Sequence, residues 1–430
     1  MEILIEPSEY RFLNAGDTAM MQIAIGRLGK MWPEACMHVF TNHPDLLPRY
    51  SPRVSPLANT GRLRWLSENL ISSRFAPWQS ELLRAWGRAL SVQHPSTAGF
   101  LRRLRYRSPY NPQDQKSVEQ FLALMRKADL FVVAGMGGLT SAFPEYAAMV
   151  LDTLALAHAC KVPTVLFGQG LGPFDQHLEK HARRVLRQVN YIALREGRHG
   201  PALLRAWGIP EERWAITGDD AVELAIQYRR EQAGRAIGIN VRMADYSAVS
   251  KDAVADLRDP LQQVAASLGA PLRAVPISRL PDEDDYQQIE SLLQGYSAVE
   301  RPEAAVDAPL RVTQEIQHCR IVITGSYHAG VFALAQGIPV IGLVANDYYQ
   351  WKFEGLAHQF GDGCCVLRLG TSATAATLHQ MVRNLWQAAP VLRPALLASG
   401  DRQQQASRAA YEHVFSLVGK HPAGVRCAFQ

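Results

Sequence analysis

Residues Ile321–Ala345 read IVITGSYHAGVFALAQGIPVIGLVA, the most apolar long stretch in the chain. At 25 residues it has the length of a membrane span, but Ser326, His328, Gln336 and Pro339 interrupt it. The β-branched run Ile321–Thr324 reads as a buried strand, and Gly325 ends it. A helix of small residues follows, Gly337-Ile338-Pro339 closes that helix, and Val340–Leu343 forms a second strand. Two short buried strands joined by a helix make a parallel βαβ unit, so the stretch predicts an α/β protein with parallel sheets.

The same alternation extends outward from this unit. Strands are expected at Ile3–Glu6, Leu130–Ala134, Thr164–Gly168, Tyr191–Leu194 and Trp214–Thr217, with helices such as Thr18–Lys30, Tyr146–His158 and Leu178–Gln188 between them. A second series begins at Ala236–Val241 and continues through Arg273–Ile277 and Cys319–Thr324 to Cys365–Leu367. The polar stretch Tyr228–Arg235 separates the two series. The chain therefore divides into an α/β domain over residues 1–230, a second over 231–395, and a tail over 396–430. Residues 51–115 fit the alternation poorly and read as an insertion in the first domain. They carry Trp65, Trp78, Trp86 and the basic run Arg102–Arg107. That run suits an anionic acceptor or peripheral membrane contact, and equally a solvated helix face.

Composition sets the outer limits. The 430 residues carry 45 Lys and Arg against 40 Asp and Glu, a formal charge of +5, too slight to point to nucleic acid. Met1–Glu6 lacks the basic and apolar regions of a secretory leader. The six cysteines show no C-x-x-C or zinc spacing, which fits reduced thiols and a cytoplasmic protein, with no metal or cofactor expected.

Four loops at strand ends carry the chemistry, because ligands of open parallel sheets sit beyond the carboxyl ends of the strands. Asn14-Ala15-Gly16-Asp17 precedes a helix that Asp17 or Thr18 can cap, leaving amides for an anion. Gly135-Met136-Gly137-Gly138 is glycine-rich without being a dinucleotide fingerprint or a P-loop. In Gly168-Gln169-Gly170-Leu171-Gly172-Pro173, Gln169 can bond a substrate hydroxyl or tie two loops together. The fourth, Thr324–His328, sets Ser326, Tyr327 and His328 at a helix N-terminus, where peptide dipoles favour an anion and depress an imidazole pKa. The surroundings of Ser326 are not those of a serine-hydrolase elbow.

Taken in order with Arg195-Glu196, Gly218-Asp219-Asp220 and Gly337-Ile338-Pro339, these loops resemble the polysaccharide pyruvyl transferase family. The resemblance implies two Rossmann-like domains facing a cleft, similar to the GT-B glycosyltransferases. It implies phosphoenolpyruvate as co-substrate and a carbohydrate acceptor, free or linked to lipid or nucleotide. It implies His328 and Arg195 as catalytic residues, His328 as general acid and Arg195 as the clamp on phosphate or carboxylate. Asn14, Gly16, Asp17, Gly137, Gly138, Gln169, Gly170, Ser326, Tyr327 and Lys352 then bind substrate, and Asp219 or Asp220 takes the acceptor's proton. One position departs from the pattern, since Ser326 stands where many members carry Arg. That removes a charge worth about 1.5–3 kcal/mol per hydrogen bond and leaves Arg195, Arg198, Arg242 or Lys352 to hold the donor.

Two other readings remain open on the sequence alone. A nucleotide-sugar glycosyltransferase on the same scaffold would need a ribose ligand, for which Asp282–Asp285 is the candidate. The same acidic cluster can bind a divalent cation or simply begin a helix. A non-catalytic binding protein whose donor site has decayed at Ser326 is the third.

Overall fold

The computed structural model describes residues 1–67, 87, 89–94, 97–98, 112–301, 308–370 and 374–419. Two parallel sheets carry the architecture. The first contains β1 (Glu2–Glu6), β2 (Cys36–Thr41), β3 (Val54–Ala58), β4 (Leu130–Val133), β5 (Met136–Leu139), β6 (Thr164–Leu171), β7 (Tyr191–Leu194) and β8 (Trp214–Ile216). Its order is β3-β2-β1-β4-β6-β7-β8, with β5 beside β6. The second contains β9 (Ala236–Asn240), β10 (Leu272–Ala274), β11 (Val299–Glu300), β12 (Cys319–Thr324), β13 (Val340–Val344) and β14 (Cys364–Arg368), in the order β11-β10-β9-β12-β13-β14. The opening βαβ unit lies inside this sheet: β12 and β13 pair in parallel around the helix Tyr327–Ala335, every residue of which is buried.

Three strands go beyond the sequence expectation. Met136–Leu139, read as a glycine loop, forms β5, and Cys36–Thr41 and Val54–Ala58 extend the first sheet at its edge. Trp65 is buried in the first core beside Phe121 and Leu57, whereas Trp78, Trp86, Arg102–Arg107 and Cys427 lie outside the described residues.

The helix Ala15–Met31 joins the halves. Its Met21, Ala24, Ile25 and Leu28 pack with Ile3, Ile5 and Val132 of the first sheet, while Ala15, Ala19 and Met20 pack with Val312, Ile316 and Tyr327 of the second half. The backbone seals the junction, with Ala15 N donating to Ile277 O at 3.0 Å and Arg279 N to Leu13 O at 2.8 Å.

A 46-residue helix, Thr374–Gly419, covers both sheets. Leu378, Val382 and Leu385 pack in the core of the second, and Ala410, Tyr411 and Val414 in that of the first. Tyr411 stacks on Phe167 with ring centroids 3.6 Å apart, and its hydroxyl donates to Asp220 Oδ2 at 2.6 Å. Asp220 Oδ1 also accepts from Ser407 and from Arg27. Asp220 is thus the centre of a clasp between this helix and the first half, and is not available to take a substrate proton. Removing one member of a buried charged network leaves the others unpaired. Asp220→Ala is therefore expected to lower stability by about 3–5 kcal/mol in urea unfolding, with Asp220→Asn costing less; a loss under 1 kcal/mol would show that the clasp is idle. Among the described residues, no helix is long and apolar enough to cross a membrane.

Candidate active site

Four strand ends converge where the halves meet. Arg195 follows β7, Asp219 follows β8, Ser326 and His328 follow β12, and Lys352 sits in the helix Asp347–Phe360 after β13. Asp219 Oδ2 lies 3.9 Å from Arg195 Nη1 and 3.8 Å from His328 Nε2, so one carboxylate of the first half faces basic side chains from both halves. All three side chains are buried. Among the described residues, Asp219 Oδ2, His328 Nε2 and the Tyr327 hydroxyl have no hydrogen-bond partner. Leaving a buried polar group unmade costs about 1–3 kcal/mol, so three such groups in one place mark a site that a ligand or water completes.

The glycines explain how Arg195 is held. A Cβ on Gly137 would lie 2.5 Å from Arg195 Nη2, and one on Gly170 would lie 2.7 Å from Nε. The two glycine-rich segments thus form a slot whose walls carry no side chains. No described side chain hydrogen-bonds the Arg195 guanidinium, which lies 4.0 Å above the Tyr327 ring. Lys352 Nζ lies 4.0 Å from the Tyr348 ring and 5.1 Å from that of Tyr349. Aromatic faces attract a cation without neutralising it, as a carboxylate would. Arg195, with Asp219 no nearer than 3.9 Å, and Lys352 are therefore left for an anion, and a bound anion is what holds Lys352 charged against the burial that lowers it.

Their neighbours titrate accordingly. Burial, then Arg195, Lys352 and Arg242, hold the His328 imidazole well below its usual value, so it is neutral at pH 7 while the site is empty. Burial pushes the Asp219 carboxyl up to about 7 against the opposing pull of Arg195. Asp17 is raised to about 6, again chiefly by burial, with Lys352 and Arg195 opposing. Lys352 is lowered by burial and by Arg195.

Of the residues expected to bind substrate, Gly137, Gly170, Tyr327 and Lys352 line a cleft of about 330 Å³ together with Arg195. Several others have supporting roles instead. Asn14, rather than Asp17 or Thr18, caps the helix Ala15–Met31: its Oδ1 accepts from Gly16 N at 3.0 Å and Asp17 N at 3.3 Å, so those amides are not free for an anion. Gly16 lets this helix touch the His328 ring, since a Cβ there would fall 1.9 Å from His328 Cγ. Gly138 makes room for Tyr146. Gln169 is fully buried and donates to the carbonyls of Phe167 and Ala134, which ties β6 to β4. Ser326 is buried at the start of its helix, without a side-chain cap.

The other proposed donor ligands are engaged. Arg242 bonds Asp285 through Nε at 3.0 Å and Nη2 at 3.1 Å, and Arg198 lies against Glu354. Asp285 also accepts from Asn240 and from the amides of Ile277 and Ser278. Asp284 caps the helix Asp285–Leu293. Asp284 and Asp285 therefore serve the fold, leaving neither for a ribose or a cation.

The sequence reading did not assign Tyr348, His199 or Trp351 to the site. Tyr348 donates to Gly137 O at 2.9 Å across the junction, and Trp351 stacks on His199 with centroids 4.1 Å apart. Glu196 accepts from the amides of Arg198 and His199, which fixes the loop after Arg195. Only the aromatic content of Tyr348–Trp351 hinted at this wall, since its partners lie more than 150 residues away.

The family model for polysaccharide pyruvyl transferases matches residues 14–348. No curated protein matches the chain. Among solved structures, a UDP-GlcNAc 2-epimerase from Neisseria meningitidis bound to UDP-GlcNAc aligns with a TM-score of 0.57 and 13% identity, over 97% of this chain and 100% of that one. A UDP-GlcNAc 2-epimerase from Methanocaldococcus jannaschii gives 0.56 and 13%, over 95% and 99%. A ugt transferase from Siraitia grosvenorii in complex with UDP gives 0.53 and 10%, over 97% and 99%. At these identities the likeness concerns the fold, two Rossmann-like domains in the GT-B arrangement.

Proposed function

The chain belongs to the polysaccharide pyruvyl transferase family, and from that premise we propose that it transfers the enolpyruvyl group of phosphoenolpyruvate to a sugar hydroxyl. The observation that carries the reading is the pair of basic side chains, Arg195 and Lys352, held on tyrosine rings beside His328 and Asp219. A donor with one phosphate and one carboxylate supplies the anions this pair lacks. With Ser326 in place of an arginine and Arg242 bonded to Asp285, Arg195 and Lys352 carry the donor between them.

In this mechanism the bound anions reverse the field on His328, which then holds a proton and delivers it to the donor's methylene carbon. A sugar hydroxyl adds to the carbon bearing the phosphate, and Asp219, whose Oδ2 has no hydrogen-bond partner and whose pKa is raised, takes the hydroxyl proton. Phosphate then leaves with the proton held by Asp219, as a second hydroxyl closes the ketal and returns its own proton to His328. The work is done in a buried site, and Arg195 and Lys352 stabilise the departing phosphate throughout. The acceptor is a carbohydrate, free or carried on a lipid or nucleotide.

Calorimetric titration of phosphoenolpyruvate, beside UDP-GlcNAc and UDP, tests the donor. Saturable binding of phosphoenolpyruvate at micromolar to millimolar concentration, and none of the nucleotides at the same level, is the expected result. Binding of the nucleotides without phosphoenolpyruvate would overturn the reading in favour of a glycosyltransferase.

A further inference from the structure

The helix Gln176–Leu186 presents a face that the catalytic reading does not use. Its Leu178, Ala182, Val185 and Leu186 are buried, at the spacing of one helical stripe, and it packs along the helix Pro144–Ala159. On the solvent side stand His177, Lys180, Arg183, Arg184 and, just past the helix end, Arg187, all exposed. The helix's one acidic residue, Glu179, is turned aside: it is half-buried and accepts from Trp207 Nε1 at 3.1 Å. The carboxylate of the capping Asp175 is occupied by backbone amides and Ser141.

Some exposed arginines elsewhere have carboxylate partners, as in Arg205–Glu211, Arg235–Glu300 and Arg301–Glu290. Among the described residues, Lys180, Arg183, Arg184 and Arg187 form no ion pair, and LysArg neighbours three or four positions apart on one helix repel each other. A sequence that concentrates like charge on one face, with its only acid turned away, suits a partner of opposite charge. The face carries no exposed aromatic for stacking on bases and no apolar residue for insertion into a protein groove or a bilayer. Its chemistry matches a flat anionic surface met by charge alone. The helix begins four residues after Gly172 of the cleft wall.

We propose that this helix docks the protein reversibly on an anionic phospholipid surface through Lys180, Arg183, Arg184 and Arg187. This assignment is independent of which donor the cleft takes. Each such cation strengthens adsorption about fivefold near an anionic bilayer, and the contact weakens as salt shortens the Debye length from about 14 Å at 50 mM to about 6 Å at 300 mM.

Co-sedimentation of the full chain with vesicles decides the matter. Vesicles of phosphatidylglycerol and phosphatidylethanolamine are expected to bind it at 50 mM salt and release it at 300 mM, while phosphatidylcholine vesicles do not bind. The combined variant Lys180→Gln, Arg183→Gln, Arg184→Gln, Arg187→Gln is expected to lose at least tenfold in affinity, with thermal midpoint and phosphoenolpyruvate titration unchanged. Arg235→Gln with Arg301→Gln, where the arginines are already paired, is expected to bind as the parent does. Equal binding of the fourfold variant, equal binding to phosphatidylcholine, or no binding at 50 mM salt would each overturn the proposal. So would release of the parent from vesicles by duplex DNA at stoichiometric concentration, which would make the face a nucleic-acid contact.

Discussion

Arg195→Ala is expected to weaken phosphoenolpyruvate binding by about two to four orders of magnitude, since two charge-assisted contacts worth roughly 1.5–3 kcal/mol each are lost. The size follows from the absence of a substitute: Arg242 is committed to Asp285, and Ser326 supplies no charge. Arg195→Lys should recover little, because a point charge does not fill a planar slot or stack on Tyr327 in the same way. Gly170→Ala supplies the sharper test. It leaves every charge in place but puts a Cβ 2.7 Å from Arg195 Nε, so the guanidinium must move. The titration should weaken at least tenfold, with the fold intact by circular dichroism. Unchanged binding in both Arg195→Ala and Gly170→Ala would remove Arg195 from the donor site altogether.

His328→Ala should separate chemistry from binding. Loss of a general acid is expected to lower kcat by about 10²–10⁴-fold, while the donor still binds within several-fold, because Arg195 and Lys352 remain. Proton inventory distinguishes this role from mere packing. In the empty site burial and three nearby cations keep His328 neutral at pH 7; a phosphate and a carboxylate restore a pKa closer to or above the ordinary value. Binding between pH 7 and 8 must then take up protons. The measured enthalpy should vary with the ionisation enthalpy of the buffer, and His328→Ala should reduce that dependence. The rate should fall at high pH as the bound imidazole loses its proton, and Asp219→Asn should shift the limb by removing the facing carboxyl, whose own value of about 7 lies in the same range. Equal proton uptake in parent and His328→Ala would refute the general-acid role.

Most of the scaffold was legible because the buried strands are short apolar runs that stop at glycine. β12, β13, β7 and β1 fall within one residue of where the residues Cys319–Thr324, Val340–Leu343, Tyr191–Leu194 and Ile3–Glu6 put them. β3 escaped notice for a physical reason. It lies at the sheet edge, contains Pro56, and exposes Ser55, Pro56 and Ala58, so it lacks an apolar run. β5 was hidden by its glycines, which are there for Arg195 and Tyr146 rather than for a loop. The site was less legible than the scaffold. Motifs gave Arg195 and His328, but whether Asp219 or its neighbour Asp220 faced them depended on the chain's return: Tyr411 and Ser407 take Asp220, which leaves Asp219 to the cleft. No local pattern could reveal that Arg242 is neutralised by a residue 43 positions away.

The long closing helix also bears on how the chain is made. Phe167 is left without its stacking partner, and Asp220 without two of its hydroxyl donors, until Tyr411 and Ser407 have been synthesised. At about 5–20 residues per second the 244 residues between Phe167 and Tyr411 take roughly 12–50 s. During that interval the helix Ala15–Met31 already packs with Ile5 and Val132, but the part of this face around Phe167 lacks Ala410, Tyr411 and Val414. A nascent chain in this state is a substrate for chaperones. The half that is made first is therefore completed only after the second half has been made, and its yield depends on how well the surface around Phe167 is shielded in the meantime.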